Sequence, residues 1–246
     1  MHHELLPFTI SVAETQEELL SACAVRAAAY GRRFEPLRSL FRLPDAIDAL
    51  PGTLVVLATD KDSGRPVGTA RVSTSAFAPL PIQHCAELPQ SLDGRHLAEI
   101  TRLAVDPAGS NRLVRQALWK TVYLLCVSQQ VHQMVIGARN AALIRSYKSL
   151  GFEDVSPGGR PVALDYAGGL EHHVLCFDVP SIERVWLERR HSLYRWFFET
   201  HHPDIRIVAG GLRSHERWSL SSSILGRNSP STVRSAGTEP PASMVA

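Results

Sequence analysis

The sequence predicts one α/β domain, of the mixed α+β type, with a mostly antiparallel six- to seven-stranded sheet flanked by helices. Two observations lead to this prediction. Seven short strand-like runs, separated by turns or helical patterns, occur between residues 7 and 179. A long helix pattern joins the fourth and fifth strands, and a helical crossover makes the strands that it joins parallel.

The first elements lie before residue 51. Alternating apolar residues at 7–13 predict the first strand. Thr15 and Glu18 have capping-box spacing, which predicts a helix that ends near Gly31. Residues 31–50 follow no clear period, so we expect a loop with a short helix there.

Three strands of the antiparallel part follow. Apolar runs at 53–59 and 67–74 flank a polar turn, which predicts a hairpin. Residues 96–105 predict the fourth strand, and the turn residues Asp106 and Pro107 end it.

The crossover and the strands behind it complete the predicted sheet. Residues 110–129 have the apolar spacing of a long amphipathic helix. A strand at 132–137, a helix at 141–150 and two strands at 152–155 and 171–179 follow.

Composition divides the chain into three parts. Residues 1–180 form the predicted folded domain. Residues 181–208 are expected to pack on it as an aromatic-rich helix, with the helix itself over 181–200. Residues 209–246 are rich in Ser, Gly, Arg and Pro, so we expect a disordered tail.

Composition and charge exclude several classes of protein. The formal net charge is only +2 and no nucleic-acid motif accompanies the basic residues, so no nucleic-acid partner is expected. Four widely spaced cysteines indicate reduced thiols. There is no signal-peptide pattern and no apolar run of membrane-spanning length, so we expect a cytoplasmic protein without an integral membrane segment.

Two histidine pairs raise the question of a metal. His172 and His173, like His201 and His202, are adjacent in sequence, and neighbouring strand residues point to opposite faces of a sheet. No third ligand recurs at a supporting spacing, so no metal site is expected.

Two motifs flank the crossover helix and the fifth strand. Val-Asp-Pro precedes the helix, and Asn-x6-Tyr-x3-Gly-Phe follows the strand. In this order they resemble the GNAT superfamily of acyltransferases, over roughly residues 8–179. That resemblance implies a GNAT acyltransferase domain with a parallel fourth and fifth strand that splay apart. The residues that carry it are Val105, Asp106, Pro107, Asn140, Tyr147, Gly151 and Phe152.

The resemblance also implies where an acyl donor binds. In GNAT proteins the pantetheine arm of the donor lies in the splay and pairs with free backbone groups of the fourth strand, which need a partner. Here these groups belong to Leu103, Ala104 and Val105, and Asn140 is placed with them. The donor is a substrate, so no tightly bound cofactor is expected.

One departure from the superfamily bears on the donor. GNAT proteins that use acetyl-coenzyme A carry a glycine-rich loop whose N–H groups approach the pyrophosphate. Residues 110–117 lack these glycines. The phosphopantetheine of acyl carrier protein has no adenosine pyrophosphate, which favours a carrier-bound donor. A diverged coenzyme A loop, with acyl-coenzyme A as donor, stays open.

A second set of residues resembles the acyl-homoserine lactone synthases and N-acyl amino acid synthases, which share the GNAT fold and use acyl carrier protein. A tryptophan of the lactone synthases is absent, and Phe34 stands near its place. Tyr147 with Gly151 is typical of ordinary GNAT proteins, so the mixture favours the N-acyl amino acid synthases. The matching residues are Arg26, Tyr30, Asp45, Asp48, Arg71, Glu99 and Arg102.

The reaction needs a base for the acceptor amine and an acid for the leaving thiolate. Glu99 is the candidate base, because burial in the sheet would raise its pKa. An ion pair of Glu99 with Arg71 or Arg102 is the alternative. A regular strand places Glu99 and Arg102 on opposite faces, and only a β-bulge would bring them together. We place both in the catalytic set.

Tyr147 is the candidate acid. Its apolar neighbours on the predicted helix, Leu143, Ile144 and Leu150, allow the alternative that Tyr147 is only a core residue. Neither role is favoured by the sequence.

Charged residues form the rest of the predicted site. We assign Arg26, Tyr30, Phe34, Asp45, Asp48 and Arg71 to an N-terminal lid and the acceptor pocket, where an arginine could clamp a carboxylate. For the two aspartates a structural salt-bridge role is favoured. A basic rim that would steer acidic carrier protein is predicted from Arg112 and Arg115 above all, with Lys120, Arg139, Arg145 and Lys148.

The sequence therefore predicts an N-acyltransferase that moves a long acyl chain from acyl carrier protein to an amino acid. The alternatives are a homoserine lactone synthase that uses S-adenosylmethionine, a coenzyme A-dependent N-acetyltransferase, and an inactive GNAT-like binding module. A homodimer is left open.

Overall fold

The computed structural model of the protein describes residues 2–108, 111–155 and 160–207. These residues form a mixed sheet with helices on both faces, which confirms the predicted GNAT acyltransferase fold. The tail predicted for 209–246 and the first residues of the predicted donor loop, 109–110, lie outside the described residues.

Six strands of five or more residues lie in the sheet in their chain order. The pair β4–β5 is parallel and the other four neighbouring pairs are antiparallel, as the helical crossover predicts. The strands are β1 Phe8–Val12, β2 Thr53–Asp60, β3 Pro66–Thr74, β4 Leu97–Val105, β5 Gln133–Ala138 and β6 Leu170–Asp178.

Short strands extend the sheet beyond the predicted number. Glu153–Asp154 and Val162–Leu164 pair with β6, and Ile205–Arg206 pairs with β1, so that the described residues form a nine-stranded sheet. A separate short ribbon joins His2–His3 to Thr200–His201. Both additions at residues 200–206 come from the C-terminal region, where the sequence had predicted only a helix.

Five α-helices of the described residues flank the sheet, and their ends follow from local sequence. Thr15 and Glu18 form the predicted capping box at the start of the first helix. Asn140 accepts the Leu143 N–H at the start of the fourth, and Gly151 ends it in the left-handed region at φ 103°. The helices are α1 Gln16–Gly31, α2 Pro36–Leu40, α3 Asn111–Ser128, α4 Ala141–Leu150 and α5 Ile182–Glu188.

The sheet is buried on both faces. On one face, Val56, Ile100 and Met134 belong to the main core under α3 and α4. On the other, Val55 and Leu57 pack with Leu19 and Ala22 of α1. Burial on both faces explains why the strands read as nearly continuous apolar runs. The polar residues of the predicted site interrupt the α1 face.

The single helix predicted for 181–200 is wrong. The chain leaves α5 at Arg189, turns through Arg190 at φ 50°, and continues as a π-helical segment, Arg195–Glu199. Packing explains the break: His191 folds back to stack on Trp186, with ring centroids 3.8 Å apart. The division of the chain at residues 180 and 208 stays a prediction.

We expect Trp186→Ala to lower the free energy of unfolding by about 3–5 kcal/mol. Trp186 is only 3% exposed, packs on Phe197, and donates its indole N–H to the Leu150 carbonyl at 3.0 Å. Urea unfolding would measure the change, with Leu187→Ala as control because Leu187 is 57% exposed. Equal losses for the two variants would mean that residues 182–199 do not pack on the core as described.

Candidate active site

The parallel strands β4 and β5 separate after four residue pairs. Leu97–Ile100 pairs with Gln133–Ile136, and no pairing continues beyond Ile100. A cleft of about 180 Å³ opens there and reaches under α1 and α4. Among the residues that line it are Tyr30, Phe41, Arg102, Leu103, Tyr147 and Tyr166.

A β-bulge lies on β4 at the mouth of the splay. Thr69 and Arg71 of β3 face Ala104 and Thr101 of β4, so β4 carries one extra residue in this step. Arg102 adopts φ 54°, in the left-handed region that side chains other than glycine rarely enter. This is the bulge that Glu99 and Arg102 require if they are to meet.

The bulge brings Arg102 to the α1 face of the sheet. Its Nη2 donates to the Asp45 carboxylate at 3.0 Å and to the Tyr166 carbonyl at 2.7 Å. The Tyr166 hydroxyl donates to Glu99 Oε1. Glu99 and Arg102 therefore meet the same residue, Tyr166, although their spacing in a regular strand would separate them.

Glu99 is completely buried. Burial raises its pKa. Hydrogen bonds from the Tyr166 hydroxyl and the Ile82 N–H, and the nearby charges of Arg71 and Arg102, lower the pKa by less. Among the described residues, Arg71 and Arg102 form their ion pairs with Asp45 and Asp48 and not with Glu99, so the alternative of an ion pair of Glu99 is wrong. The two arginines lie near enough to lower the pKa of Glu99, but burial outweighs them. Tyr166 lies between Glu99 and the cleft.

Asp45 and Asp48 join three arginines in one buried ion-pair network. Arg26 Nη1 lies 2.9 Å from both Asp48 carboxylate oxygens. Arg71 contacts Asp45 at 2.6 Å and Asp48 at 3.2 Å, and Arg102 contacts Asp45. The network links α1, the 3₁₀ turn Ala46–Ala49, β3 and β4.

The arginines keep the network ionised. Burial alone would raise the pKa of Asp45, but Arg71 and Arg102 outweigh it and hold the pKa well below its usual range. Asp45 and Asp48 also cap the 3₁₀ turn through each other's backbone N–H groups. Arg26, Asp48 and Arg71 are fully enclosed, and of the network's arginines only Arg102 borders the cleft.

Aromatic residues cover the network on the cleft side. The Tyr30 hydroxyl donates to the Leu103 carbonyl at 3.2 Å, inside the splay. The Tyr30 ring packs edge-on against Phe41, and the Arg102 guanidinium lies 3.8 Å from the centre of the Phe41 ring. Phe34 lies further out, 38% exposed and 5.4 Å from the Arg139 guanidinium.

Tyr147 lies both in the core and at the cleft. Its ring packs in the core against Trp119 and Phe152, and the residue also borders the cleft. Burial raises its pKa, so the hydroxyl stays protonated at neutral pH. That protonation state suits a proton donor, and the core packing holds the ring in place.

The other residues predicted to bind the donor lie at the cleft, on β4 and on α3. Leu103 and Asn140 border the cleft, and Asn140 is also the N-cap of α4. Ala104 faces Thr69 of β3, and Val105 faces Gly68. Arg112 and Arg115 are exposed on α3.

Lys120 does not belong to a basic rim, and that expectation was wrong. It is only 4% exposed, its Nζ donates to the Trp196 carbonyl at 3.1 Å, and it lies 3.0 Å from His202 Nδ1. Burial lowers its pKa to about 8. Lys120 ties the C-terminal segment to α3, which the helical pattern of the sequence could not reveal. Lys148 is also paired, with Asp154.

Sequence reasoning missed several residues of the cleft, of which Tyr166 and Phe41 contact Arg102 of the charged network. Tyr166 lies in the 3₁₀ turn Asp165–Ala167 before β6, and Phe41 follows α2. Neither belongs to a motif. Both reach the site because residues far apart in sequence are brought together, 67 positions in the contact of Tyr166 with Glu99.

Within residues 2–108, 111–155 and 160–207, no group of three or more His, Cys, Asp or Glu side chains is placed to hold a metal ion. The helices in this part of the chain include none that is both long and apolar enough to cross a membrane.

Comparison with known structures agrees with this architecture. FeeM, an N-acyl amino acid synthase from uncultured soil microbes, is 14% identical, with a TM-score of 0.55 over 72% of this chain and 93% of FeeM. BjaI, a coenzyme A-dependent acyl-homoserine lactone synthase, is 19% identical, with a TM-score of 0.52 over 81% of this chain and 95% of BjaI. These likenesses show that the chain has the GNAT fold.

The sequence model of one family identifies the particular branch. The model of the N-acyl amino acid synthase FeeM matches residues 21–163, more than half of the chain. The chain belongs to the FeeM N-acyl amino acid synthase family. No curated protein matches it in sequence.

We expect Asp48→Asn to lower the free energy of unfolding by about 3–5 kcal/mol, because Arg26 would be left buried without its anion. Urea unfolding at pH 7 would measure the loss. Glu35→Gln is the matched control, since Glu35 pairs with Arg38 at the surface, where an ion pair is worth about 0–1 kcal/mol. A loss for Asp48→Asn as small as the control's would contradict an energetic role of the network.

Proposed function

We propose that the protein is an N-acyltransferase that transfers a long-chain acyl group from acyl carrier protein to the amine of an amino acid. The observation that carries the proposal is the cleft at the β4–β5 splay, with Tyr147 on one side and the Glu99–Tyr166 pair on the other. Membership of the FeeM family supports the same reaction.

The backbone of β4 is the proposed donor site. Asp106 donates its N–H to the Val67 carbonyl of β3 at 2.9 Å. Because backbone groups alternate along a strand, those of Leu103 and Val105 point toward the gap, whereas those of Ala104 point to β3. This direction supports Leu103 and Val105 as the proposed partners of the amides of a pantetheine arm, and not Ala104. Tyr30 already donates to the Leu103 carbonyl and would share it.

The source of the pantetheine arm is proposed from charge. Arg112 and Arg115 are exposed on α3, beside the predicted donor loop. Their charges would attract an acidic carrier protein. The coenzyme A dependence of the structural relative BjaI favours acyl-coenzyme A as the second candidate donor.

The acceptor is proposed to carry a carboxylate. Three arginines border the cleft: Arg33, Arg102 and Arg139. A guanidinium binds a carboxylate with two parallel hydrogen bonds, which would orient the amine of an amino acid. Arg102 is committed to Asp45 and Tyr166, so Arg33 and Arg139 are the better candidates for this contact.

The proposed mechanism follows from these positions. Glu99 accepts a proton from the ammonium of the acceptor, and the free amine attacks the thioester carbonyl. Tyr147 then protonates the leaving thiolate. Arg102 positions Tyr166 against Glu99. The N-terminal lid over the acceptor is proposed to be held by six residues: Arg26, Tyr30, Phe34, Asp45, Asp48 and Arg71. The protein is proposed to act in the cytoplasm.

The direct test is an assay of the purified protein with mixed amino acids and, in parallel, long-chain acyl carrier protein, long-chain acyl-coenzyme A and acetyl-coenzyme A. S-adenosylmethionine is tested as a separate acceptor. Mass spectrometry should detect N-acyl amino acids from the carrier. Methyl esters of the best amino acid should react poorly. Product from acetyl-coenzyme A alone would contradict the proposal.

We expect Glu99→Gln to lower kcat/KM by about 10²–10⁴-fold at pH 7 while acyl-donor binding stays intact, because the proposed base is lost. Calorimetry with the acyl donor would measure binding. Glu87→Gln is the control, since Glu87 is an exposed carboxylate on the connection between β3 and β4 and is not among the cleft residues. Full activity of Glu99→Gln would exclude Glu99 as the base.

We expect the double variant Arg112→Glu, Arg115→Glu to lower kcat/KM for the carrier-bound donor by about tenfold or more at low salt. The rate with the same acyl group on pantetheine alone should not change. Arg184→Glu, an exposed arginine on α5, is the control. Equal effects on both donors would mean that the two arginines do not recognise the carrier.

A further inference from the structure

The proposed base has no direct route to the acceptor. Glu99 is 0% exposed and is not among the residues that line the cleft. Its Oε2 accepts the Ile82 N–H at 2.9 Å, and its Oε1 accepts the Tyr166 hydroxyl. Both carboxylate oxygens are therefore occupied, and the one nearer the cleft is covered by the phenol of Tyr166.

Tyr166 contacts Glu99 through its hydroxyl and also lines the cleft. Its position is held by Arg102, which donates to its carbonyl at 2.7 Å, and by the tight turn that Gly168 and Gly169 complete through N–H bonds to Asp165 and Leu164. A hydroxyl between a carboxylate and an open cleft can donate to the first while it accepts from a ligand in the second.

We propose that Tyr166 relays the proton from the acceptor amine to Glu99, which deepens and rests on the proposed function. The ammonium gives its proton to the Tyr166 hydroxyl oxygen while the hydroxyl's own proton moves to Glu99 Oε1. One O–H bond breaks and one forms at Tyr166, so the phenol is unchanged. Glu99 becomes a neutral acid, and the amine gains a free electron pair for attack on the thioester.

The protons also balance over the whole turnover. After attack, Tyr147 gives its proton to the departing thiolate, and the second proton of the nitrogen returns Tyr147 to its neutral form. The first proton leaves Glu99 through Tyr166 to water after the products have left. No oxidant, reductant or further reactant is needed.

The charges around the pair support a relay through a neutral phenol. Burial and then the neighbouring Glu99 raise the pKa of Tyr166, while Arg102 lowers it less. Tyr166 is thus not an anion that could act as the base itself. Glu99 is faced by Tyr166, Arg71 and Arg102, and its pKa is raised by burial. Cys85 is the remaining titratable group facing Tyr166.

The test compares pH profiles of kcat/KM for wild type, Tyr166→Phe, Glu99→Gln and the double variant. At pH 7 each variant should lose about 10²–10⁴-fold, and the double variant should lose no more than Glu99→Gln, because the two residues act in one path. The loss should shrink as pH rises through the pKa of the acceptor amine, because bulk solvent then supplies the neutral amine. Tyr166→His, which can also pass a proton, should keep more activity than Tyr166→Phe.

Three outcomes would overturn the relay. Wild-type activity in Tyr166→Phe would show that the hydroxyl is not needed, while the proposed function stands. A loss that is the same at every pH, or additive with Glu99→Gln, would indicate a structural role. Absence of activity in the wild type with every donor would remove the proposed function and the relay together. Tyr194→Phe, outside the cleft, is the control and should behave as wild type.

Discussion

The β-bulge at Arg102 is the constraint on which the rest of the site depends. It places an arginine of β4 on the same face as Glu99. It also lies just after Ile100, where the pairing of β4 with β5 ends. Arg102 therefore belongs both to the cleft and to the charged network. The strained φ of 54° persists because Arg102 is held by Asp45, by the Tyr166 carbonyl and by the Phe41 ring. In a regular strand the guanidinium of Arg102 would point to the other face of the sheet, into the apolar core under α3 and α4.

The ion-pair network holds the elements around the cleft in place, and most of its residues do not contact the cleft. Three arginines and two aspartates are joined below the surface, and only Arg102 reaches the cleft. Three cations against two anions leave one positive charge, which an ionised Glu99 balances and a protonated Glu99 does not. In the proposed mechanism, a proton on Glu99 would leave this positive charge beside the cleft unbalanced, which would suit an acceptor that carries a carboxylate. The same network holds α1 and the 46–49 turn against β3 and β4.

The two resemblances in the sequence correspond to two sides of one cleft. Arg26, Asp45 and Arg71, which resemble the lactone and amino acid synthases, lie below it on the α1 side. Tyr147, typical of ordinary GNAT proteins, lies on the α4 side. The two sets of residues that together favoured the N-acyl amino acid synthases are thus separated in space. The charged residues lie where the acceptor is proposed, and the tyrosine lies where the thiolate would leave. The FeeM family match spans both sides.

The sequence by itself determined the order of strands and helices and the parallel β4–β5 pair, because periodicity, caps and crossover connections are local properties. The members of the charged network came instead from the resemblance to the lactone and amino acid synthases. Only the tertiary structure decided the bulge, since Arg102 carries no local signal for a positive φ. Tyr166 and Phe41 entered the site, and Lys120 left the predicted basic rim, through contacts between residues up to 82 positions apart. The helix predicted for 181–200 broke because the stacking of His191 on Trp186 overrides helical propensity. Local sequence specifies elements, whereas burial and long-range pairing decide which side chains those elements bring together.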